Sequence, residues 1–325
     1  GIWEGNLKRY ILDDAKVKDS QMVDAVDSST KFFKESADSC WGQAASTTKQ
    51  PAGCLGYTQN DGKDPTKGGM RSKLNSAARS VLTTTDGSSI VTLESLRLAD
   101  AASAATVTTS AGLMGYGTSC ASSTAQYCNG ALTALGGDLA AQITNFNATI
   151  DWTKGVRAGD STTMLVGDPL HSQPVVVSYG FTGDSGTGTD RDDAMKAAAD
   201  DPSKQENYLF YSTNAGALHA VDASNGDEKF AFIPKEMLPL LPKTMNVPAW
   251  TGAASRIYGL DSTWLSWRHD ANKDNDLKDS GDWSYLYGGM RMGGSNYYAL
   301  DVTNLSSPTI KWTIKGALAG GFNTT

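Results

Sequence analysis

Two copies of one short pattern restrict the fold of this chain more than any other feature. Each copy has an apolar strand, a glycine-containing turn and a second strand ending in Asp; the copies cover residues 208–222 and 285–301. An aromatic strand follows each copy, at 228–234 and 309–314. This order predicts small antiparallel meanders, which cannot bury both faces alone and must stack on neighbours. We therefore expect an all-β fold, with the meanders as blades of a β-propeller.

The composition agrees with many short strands and excludes some functions. The chain has 325 residues, of which 34 are glycine and 39% are hydrophobic, enough to bury a core. Its net charge of −7 argues against a nucleic-acid partner, because such proteins usually carry a basic face. No apolar run approaches the roughly 18–20 residues of a membrane span. The chain starts at Gly1 without an export signal, so we expect a mature form or a fragment.

Further strands are predicted outside the two copies. Trp3–Leu12 alternates between apolar and polar residues, and Gln21–Val26 leads into a polar turn. The segment Gly167–Val177 ends in a β-branched run typical of an inner strand, with Pro174 where a strand tolerates proline.

We interpret residues 1–325 as a single domain interrupted by two polar insertions. The first, at about 88–150, is rich in Ala, Ser, Thr and Gly, and we expect it to be partly helical around Thr92–Ala102 and Ala131–Asn145. The second, at 181–207, contains a predicted helix at Arg191–Ala199.

The four cysteines form two local pairs by spacing. Cys40 and Cys54 lie 14 positions apart, and Cys120 and Cys128 lie 8 apart, without CxxC spacing or a nearby His. Two local disulfides are the simplest arrangement and indicate an oxidising compartment. The alternative is four reduced cysteines in a cytosolic protein.

The sharpest sign of a binding site is an acidic loop at residues 270–282. Oxygen-bearing side chains at relative positions 1, 3 and 5 match the first half of a calcium loop, because a chain turning around an ion points alternate residues inward. Asn275, at position 6, is expected to be left-handed, and Leu277 is the apolar anchor. The candidate ligands are Asp270, Asn272, Asp274, Asp276, Asp279 and Asp282.

This acidic loop departs from the calcium pattern at position 12, where Gly281 replaces the usual bidentate Glu. The closing carboxylate must then come from Asp279, from Asp282 or from elsewhere in the fold. The alternative is a solvated acidic loop without an ion. A second acidic segment, Asp184–Asp193, lacks the spacing and is interpreted as a plain surface loop.

No residues form a recognisable catalytic site. GxSxG, HExxH and P-loop motifs do not occur. His171 and His219 lie in strand patterns, so we expect packed or hydrogen-bonded core residues, and we expect His269 at the surface. Ser172 beside His171 is not a hydrolase pair, because neighbours in a strand point to opposite faces.

Several of these segments resemble one family, the PilY-type proteins, which are type IV pilus tip-associated adhesins of Gram-negative bacteria. The run Ile150–Val156 followed by Val166–Val177 is similar to a signature of that family. Asn214–Asp222, Phe230–Pro234 and Tyr285–Asp301 resemble its C-terminal propeller. Further similar segments are Gly5–Tyr10, Gly68–Arg71 and Arg79–Thr83.

The resemblance implies a modified, quinoprotein-like β-propeller with a calcium loop. The propeller of that family usually continues beyond the second meander, so we expect either a fragment or a chain without the closing blades. The quinone site of related quinoproteins is not carried over, because nothing in this sequence assembles it. By resemblance, Asp270, Asn272, Asp274 and Asp276 are the best Ca²⁺ ligands. It also implies a non-enzymatic role in pilus assembly, extension, retraction and surface adhesion after export through the periplasm. The implied partners are minor pilins of the pilus tip and a host or abiotic surface. Alternatives are a secreted carbohydrate-binding propeller and a quinoprotein dehydrogenase.

Overall fold

The protein is built mainly from short strands, with a few helices. A computed structural model describes residues 4–41, 54, 60–116, 137–156, 166–184, 190–201, 204–246, 258–317 and 321–322. Within these ranges, strands β1 to β14 are, in chain order, Ile11–Asp13, Lys16–Lys18, Val81–Thr84, Ile90–Thr92, Val175–Phe181, Gln205–Ser212, Leu218–Asp222, Glu228–Ile233, Leu265–His269, Trp283–Gly289, Tyr297–Asp301, Thr309–Ile314, Gly316–Ala317 and Gly321–Phe322. Helices α1 to α4 are Ala104–Leu113, Leu139–Lys154, Asp190–Asp200 and Leu241–Asn246.

The first predicted copy forms the centre of a six-stranded sheet. Strands β5, β6, β7 and β8 make an antiparallel meander, in which Tyr208 of β6 lies opposite Asp222 of β7. Strand β3 then adds to β8 in parallel, and β4 closes that side. The β-branched run predicted as an inner strand forms β5, which is an edge strand: among the described residues no strand pairs with its outer side, and Val176 is exposed.

The second predicted copy forms a separate four-stranded sheet with the order β12-β11-β10-β9. Tyr285 of β10 lies opposite Asp301 of β11, so both copies fold as antiparallel meanders, which confirms the prediction of repeated meanders. The glycine pair at the end of β10 has a packing role. A Cβ atom on Gly288 would lie only 2.1 Å from the indole of Trp264, which is fully buried.

The two sheets share one hydrophobic core. It includes Phe210 and Phe230 from the first sheet and Leu286 and Tyr298 from the second. The hydroxyl of Tyr179 on β5 donates a 2.7 Å hydrogen bond to the carbonyl of Val302, just after β11. This bond fixes the edge of one meander against the end of the other.

The insertion at 88–150 contributes to this core as well. Val107 of α1 and Phe146 and Ile150 of α2 are buried in it. The opposite face of the six-stranded sheet carries Tyr211 and Val221, which pack on a second cluster built mainly by the N-terminal third of the chain. The six-stranded sheet is therefore covered on both faces.

A buried charge network ties this sheet to the chain that precedes β3. Arg79 donates two hydrogen bonds to the Glu228 carboxylate, at 2.5 Å from Nε and 3.0 Å from Nη2. His219 Nδ1 lies 2.7 Å from the same carboxylate, and its ring stacks on Tyr211. His219 is thus the hydrogen-bonded core residue that was predicted.

The two N-terminal strand predictions are wrong. In the described part of Trp3–Leu12, only residues 11 and 12 belong to a strand, and Glu4 makes one isolated bridge to Gly167. In Gln21–Val26 there are only isolated bridges, because Met22 is left-handed (φ 63°) and the Asp19 carboxylate accepts the N–H groups of residues 21 and 23. Local turns therefore replace strand pairing in this segment.

The helix predictions have mixed outcomes. The helix at Arg191–Ala199 is confirmed as α3. The segment Thr92–Ala102 is helical only in part, as a 3₁₀ helix at Leu93–Leu96. Helix α1 begins after Ser103, whose hydroxyl accepts the N–H of residue 106. For Ala131–Asn145, residues 131–136 lie outside the described ranges. The remainder belongs to α2, which begins after its cap Asp138 and ends at the left-handed Gly155.

Candidate metal centre

The acidic loop connects β9 to β10 and is shaped by left-handed residues. Asn275 has φ 75°, as its place in the calcium pattern predicted. Lys273, at φ 63°, is left-handed too, which the pattern did not predict. Leu277 is buried in the main core, as expected for the apolar anchor.

Asp270 and Asp282 hold the two ends of the acidic loop through its backbone. The Asp270 carboxylate accepts the N–H groups of Asp274 (3.1 Å) and Asn275 (2.8 Å). The Asp282 carboxylate accepts those of Ala271 (2.8 Å) and Asp279 (2.9 Å), one on each oxygen. Both side chains fold the chain into a compact turn.

Three of the six predicted ligands converge inside this turn. One carboxylate oxygen each from Asp274, Asp276 and Asp279 lie within 4.8 Å of one another. The Asn272 amide nitrogen bridges two of them, donating to Asp274 (3.0 Å) and to Asp279. Hard oxygen atoms grouped on this scale are the donor set that calcium prefers.

Asp276 is the least satisfied of the three carboxylates. It is 0% exposed, and its Oδ1 accepts the N–H of Lys278 at 2.9 Å. Its Oδ2 is buried without a hydrogen-bond partner among the described residues. Burial, together with the neighbouring Asp184 and Asp274 carboxyl groups, raises the pKa of Asp276. A buried carboxylate oxygen that lacks a donor is costly unless a cation or a proton neutralises it.

The carboxyl group of Asp184 lies against that of Asp276, within hydrogen-bonding reach when one of the two is protonated. The interpretation of Asp184–Asp193 as a plain surface loop is therefore wrong. Asp184 is only 7% exposed, and residues 190 onward form α3. Sequence spacing missed Asp184 because the packing of the acidic loop against the end of β5 brings the two residues together.

Asp274 has a cationic partner in α3, which was also missed. Arg191 Nη1 lies 2.7 Å from Asp274 Oδ2, and the Asp274 side chain is 6% exposed. Burial alone would raise the pKa of Asp274. Hydrogen bonds from Asp276 N–H and Asn272, with the charge of Arg191, outweigh burial and lower that pKa.

The site fits a divalent cation in its donor chemistry. Its side-chain oxygens are all carboxylate or amide oxygens, and one of them is buried without a donor. The main-chain carbonyl of Asp276, a ligand position in calcium loops, accepts a 3.0 Å hydrogen bond from Arg268 Nη2. Gly281 has no ligand atom in its side chain, so the acidic loop lacks a closing carboxylate at position 12.

The two other histidines, His171 and His269, have different surroundings. His171 lies in an exposed turn and not in a strand, and its Nδ1 is 2.7 Å from the buried Asp261 carboxylate. The neighbouring Ser172 hydroxyl instead accepts the N–H of Ser212 at 2.8 Å. His269 is exposed, as predicted, and stacks on Trp283.

The cysteine pairs have separate outcomes. Cys40 and Cys54 form a disulfide with a Cα–Cα distance of 4.9 Å, which confirms the first predicted pair. Cys120 and Cys128 lie outside the described residues.

Among the described helices, none is long and apolar enough to span a bilayer.

The outer face of the second sheet carries exposed aromatic residues. Trp267 is 60% exposed, and its ring meets Trp283 edge-on at 4.9 Å. Trp283 stacks on Tyr285 at 4.3 Å, and Trp312 at the sheet's edge is also exposed. This row of rings stands away from the shared core.

Comparisons with known proteins identify relatives of one kind. The chain is 28% identical over 174 residues to a type IV pilus biogenesis factor PilY1 homolog of Xylella fastidiosa, covering 50% of this chain and 12% of that protein. A second PilY1 homolog from Xylella fastidiosa is 34% identical over 149 residues, which cover 44% of this chain and 9% of that protein. The type IV pilus biogenesis factor PilY1 of Pseudomonas aeruginosa PAO1 is 31% identical over 107 residues, which cover 33% of this chain and 8% of that protein.

The matched part is thus a small fraction of these relatives. The similarity is distant and supports a relationship to the PilY family. No family model matches the chain. No solved structure matches it.

Proposed function

We propose that this chain is a calcium-binding β-propeller segment of a type IV pilus protein. It acts through binding surfaces in pilus assembly and surface adhesion, and not as an enzyme. The Asp276 carboxylate, which is grouped with those of Asp274 and Asp279 and whose buried Oδ2 lacks a donor among the described residues, carries the calcium part of this proposal. The distant similarity to PilY1 biogenesis factors carries the pilus part.

The two meanders support the propeller part of the proposal. Each has four antiparallel strands, as a propeller blade has; the first lies within the six-stranded sheet and the second is a sheet of its own. The disulfide between Cys40 and Cys54 agrees with export through the periplasm to the cell surface. Minor pilins of the pilus tip and a host or abiotic surface are the proposed partners.

Calcium would be held by Asp274, Asp276 and Asp279, with Asn272 and Asp270 beside them. The ion supplies positive charge that neutralises carboxylates which otherwise repel one another. Asp270 and Asp282 shape the loop, because both oxygens of each already accept backbone N–H groups. Calcium binding therefore stabilises the folded loop, since an ion that binds only the native state shifts unfolding by mass action.

Thermal unfolding with calcium and with EGTA tests the calcium proposal. At a free calcium concentration of 100 times Kd, the ion adds about 2.7 kcal/mol to the stability of the wild type. Asp276→Asn combined with Asp274→Asn should lose this gain. Asp192→Asn is the control, because this exposed residue lies on α3. Equal midpoints with calcium and EGTA in the wild type would leave a solvated acidic loop without an ion.

A complementation assay tests the pilus proposal separately. Cells that lack the full-length parent protein should recover surface pili and twitching when they express the wild type. The Asp274→Asn/Asp276→Asn protein should be exported and restore less of either. If that variant restores both fully, the calcium site has no part in pilus function.

The exposed aromatic row favours a second candidate, a carbohydrate-binding surface. Trp267 and Trp312 are both exposed on the second sheet. Aromatic rings on a sheet face can stack on apolar ligand faces. A glycan array with wild type and Trp267→Ala tests this candidate, and signal that survives the substitution would exclude this surface as the binding site.

A further inference from the structure

The acidic loop provides too few side-chain ligands to surround a calcium ion alone. Calcium takes roughly six to eight oxygen ligands, whereas the converging group consists of Asp274, Asp276 and Asp279. Both oxygens of Asp270 and of Asp282 accept backbone N–H groups, and Gly281 has no side-chain oxygen. A further protein ligand would have to come from a different part of the chain.

Asp184 occupies the place where such a ligand is required. The acidic loop is held on the end of β5 by the N–H of Leu277, which donates to the Tyr179 carbonyl at 3.2 Å. Lys278 Nζ donates at 2.9 Å to the carbonyls of Phe181 and Asp184. These bonds hold the Asp184 carboxyl group beside Asp276.

A glycine allows this close approach. Gly180 has φ 121°, and a Cβ atom there would lie 2.6 Å from the Cβ of Asp276. The fold thus brings the Asp276 side chain directly onto the backbone of β5, next to a second buried carboxyl group. Two carboxylates in contact away from water repel each other strongly unless they share a cation or a proton.

We propose that Asp184 is the closing ligand of the ion bound by the acidic loop, and that the ion thereby fastens α3 to this loop. The proposal rests on the calcium site proposed above and adds a ligand from the 181–207 insertion. Arg191, near the start of α3, makes a 2.7 Å ion pair with Asp274, so α3 already contacts one ligand of the ion directly. Calcium then links the acidic loop, β5 and α3 into one rigid unit.

Calcium titration of Asp184→Asn by isothermal calorimetry tests the ligand role. Asn is almost the same size, but it removes the charge of one ligand. We expect the calcium affinity to fall at least about tenfold, the lower end of the loss on removing even an outer-shell partner of a metal. Asp193→Asn removes the same charge from an exposed position on α3 and should leave the affinity within about twofold.

Hydrogen exchange of residues 190–200 tests the link to α3. Calcium should slow exchange there in the wild type and in Asp193→Asn, but not in Asp184→Asn. Without calcium, Asp184→Asn should be at least as stable as the wild type, because its amide can donate to the Asp276 carboxylate. This comparison also shows whether the variant is folded.

The possible outcomes separate this inference from the proposed function. A wild type that binds no calcium overturns both. A wild type that binds calcium, with equal affinity in Asp184→Asn, overturns only the role of Asp184 and indicates that the two carboxyl groups share a proton. The wild type also provides a test without any substitution. If calcium binds but leaves hydrogen exchange in α3 unchanged, the proposed link between the ion and α3 is overturned.

Discussion

Replacing Glu228 by Gln is the perturbation whose cost the structure defines most sharply. Arg79 and Glu228 have side chains that are 4% and 3% exposed, and they are joined by two hydrogen bonds. Gln keeps the shape of the side chain but removes its charge. The Arg79 guanidinium then stays buried without a counter-ion, and His219 loses a charged partner.

The expected loss is large relative to the stability of a typical protein. Removing one partner of a buried ion pair costs about 3–5 kcal/mol, whereas total stabilities are about 5–15 kcal/mol. The matched control is Asp151→Asn, which breaks an ion pair to Arg97 whose side chains are 46% and 31% exposed. An exposed pair of this kind contributes at most about 1 kcal/mol.

Urea unfolding followed by tryptophan fluorescence measures both variants. We expect Glu228→Gln to lower the unfolding midpoint strongly at an unchanged slope, since the surface exposed on unfolding stays the same. A loss of stability below about 1 kcal/mol, equal to that of the control, would contradict this expectation. It would mean that the Arg79 charge is solvated or has another counter-ion in the folded state.

Three further predictions concern acid, the disulfide and a glycine. Burial alone would raise the pKa of Glu228, but the Arg79 charge and the hydrogen bond to His219 lower it from 4.5 to about 2. The contribution of Glu228 to the free energy of unfolding is therefore present above pH 4.5 and is lost as the pH falls towards 2. Between pH 7 and pH 3, the urea midpoint should fall less steeply for Glu228→Gln than for the wild type. Replacing Cys40 and Cys54 by Ser should cost about 3 kcal/mol, as expected for a loop of this length, and unchanged thermal unfolding would contradict this. Gly288→Ala should lower the stability by about 1–3 kcal/mol, because the added Cβ overpacks Trp264. Gly112→Ala in α1 is the control: nothing lies within 4 Å of its added Cβ, and it should raise the stability by about 0.5–1 kcal/mol. Equal unfolding midpoints for these two variants would contradict the packing argument.

The sequence alone determined the local features of this protein. The two meanders follow from apolar strands separated by glycine turns, because alternation and turn chemistry act between residues close in the chain. The left-handed Asn275 and the Cys40–Cys54 bridge follow from short-range spacing in the same way. Where local signals competed, as with the turn-forming Asp19 in the N-terminal segment, the strand prediction was wrong.

Which distant groups meet depends on how the sheets, loops and helices pack. Asp184 lies beside Asp276 because the acidic loop hydrogen-bonds to the end of β5, and Arg191 reaches Asp274 from a helix in a separate insertion. Arg79 and Glu228 are 149 positions apart and meet through the parallel pairing of β3 with β8. Hydrophobic periodicity indicates which face of a strand is buried, but the partner of that face depends on how whole sheets pack, which no short stretch of sequence encodes.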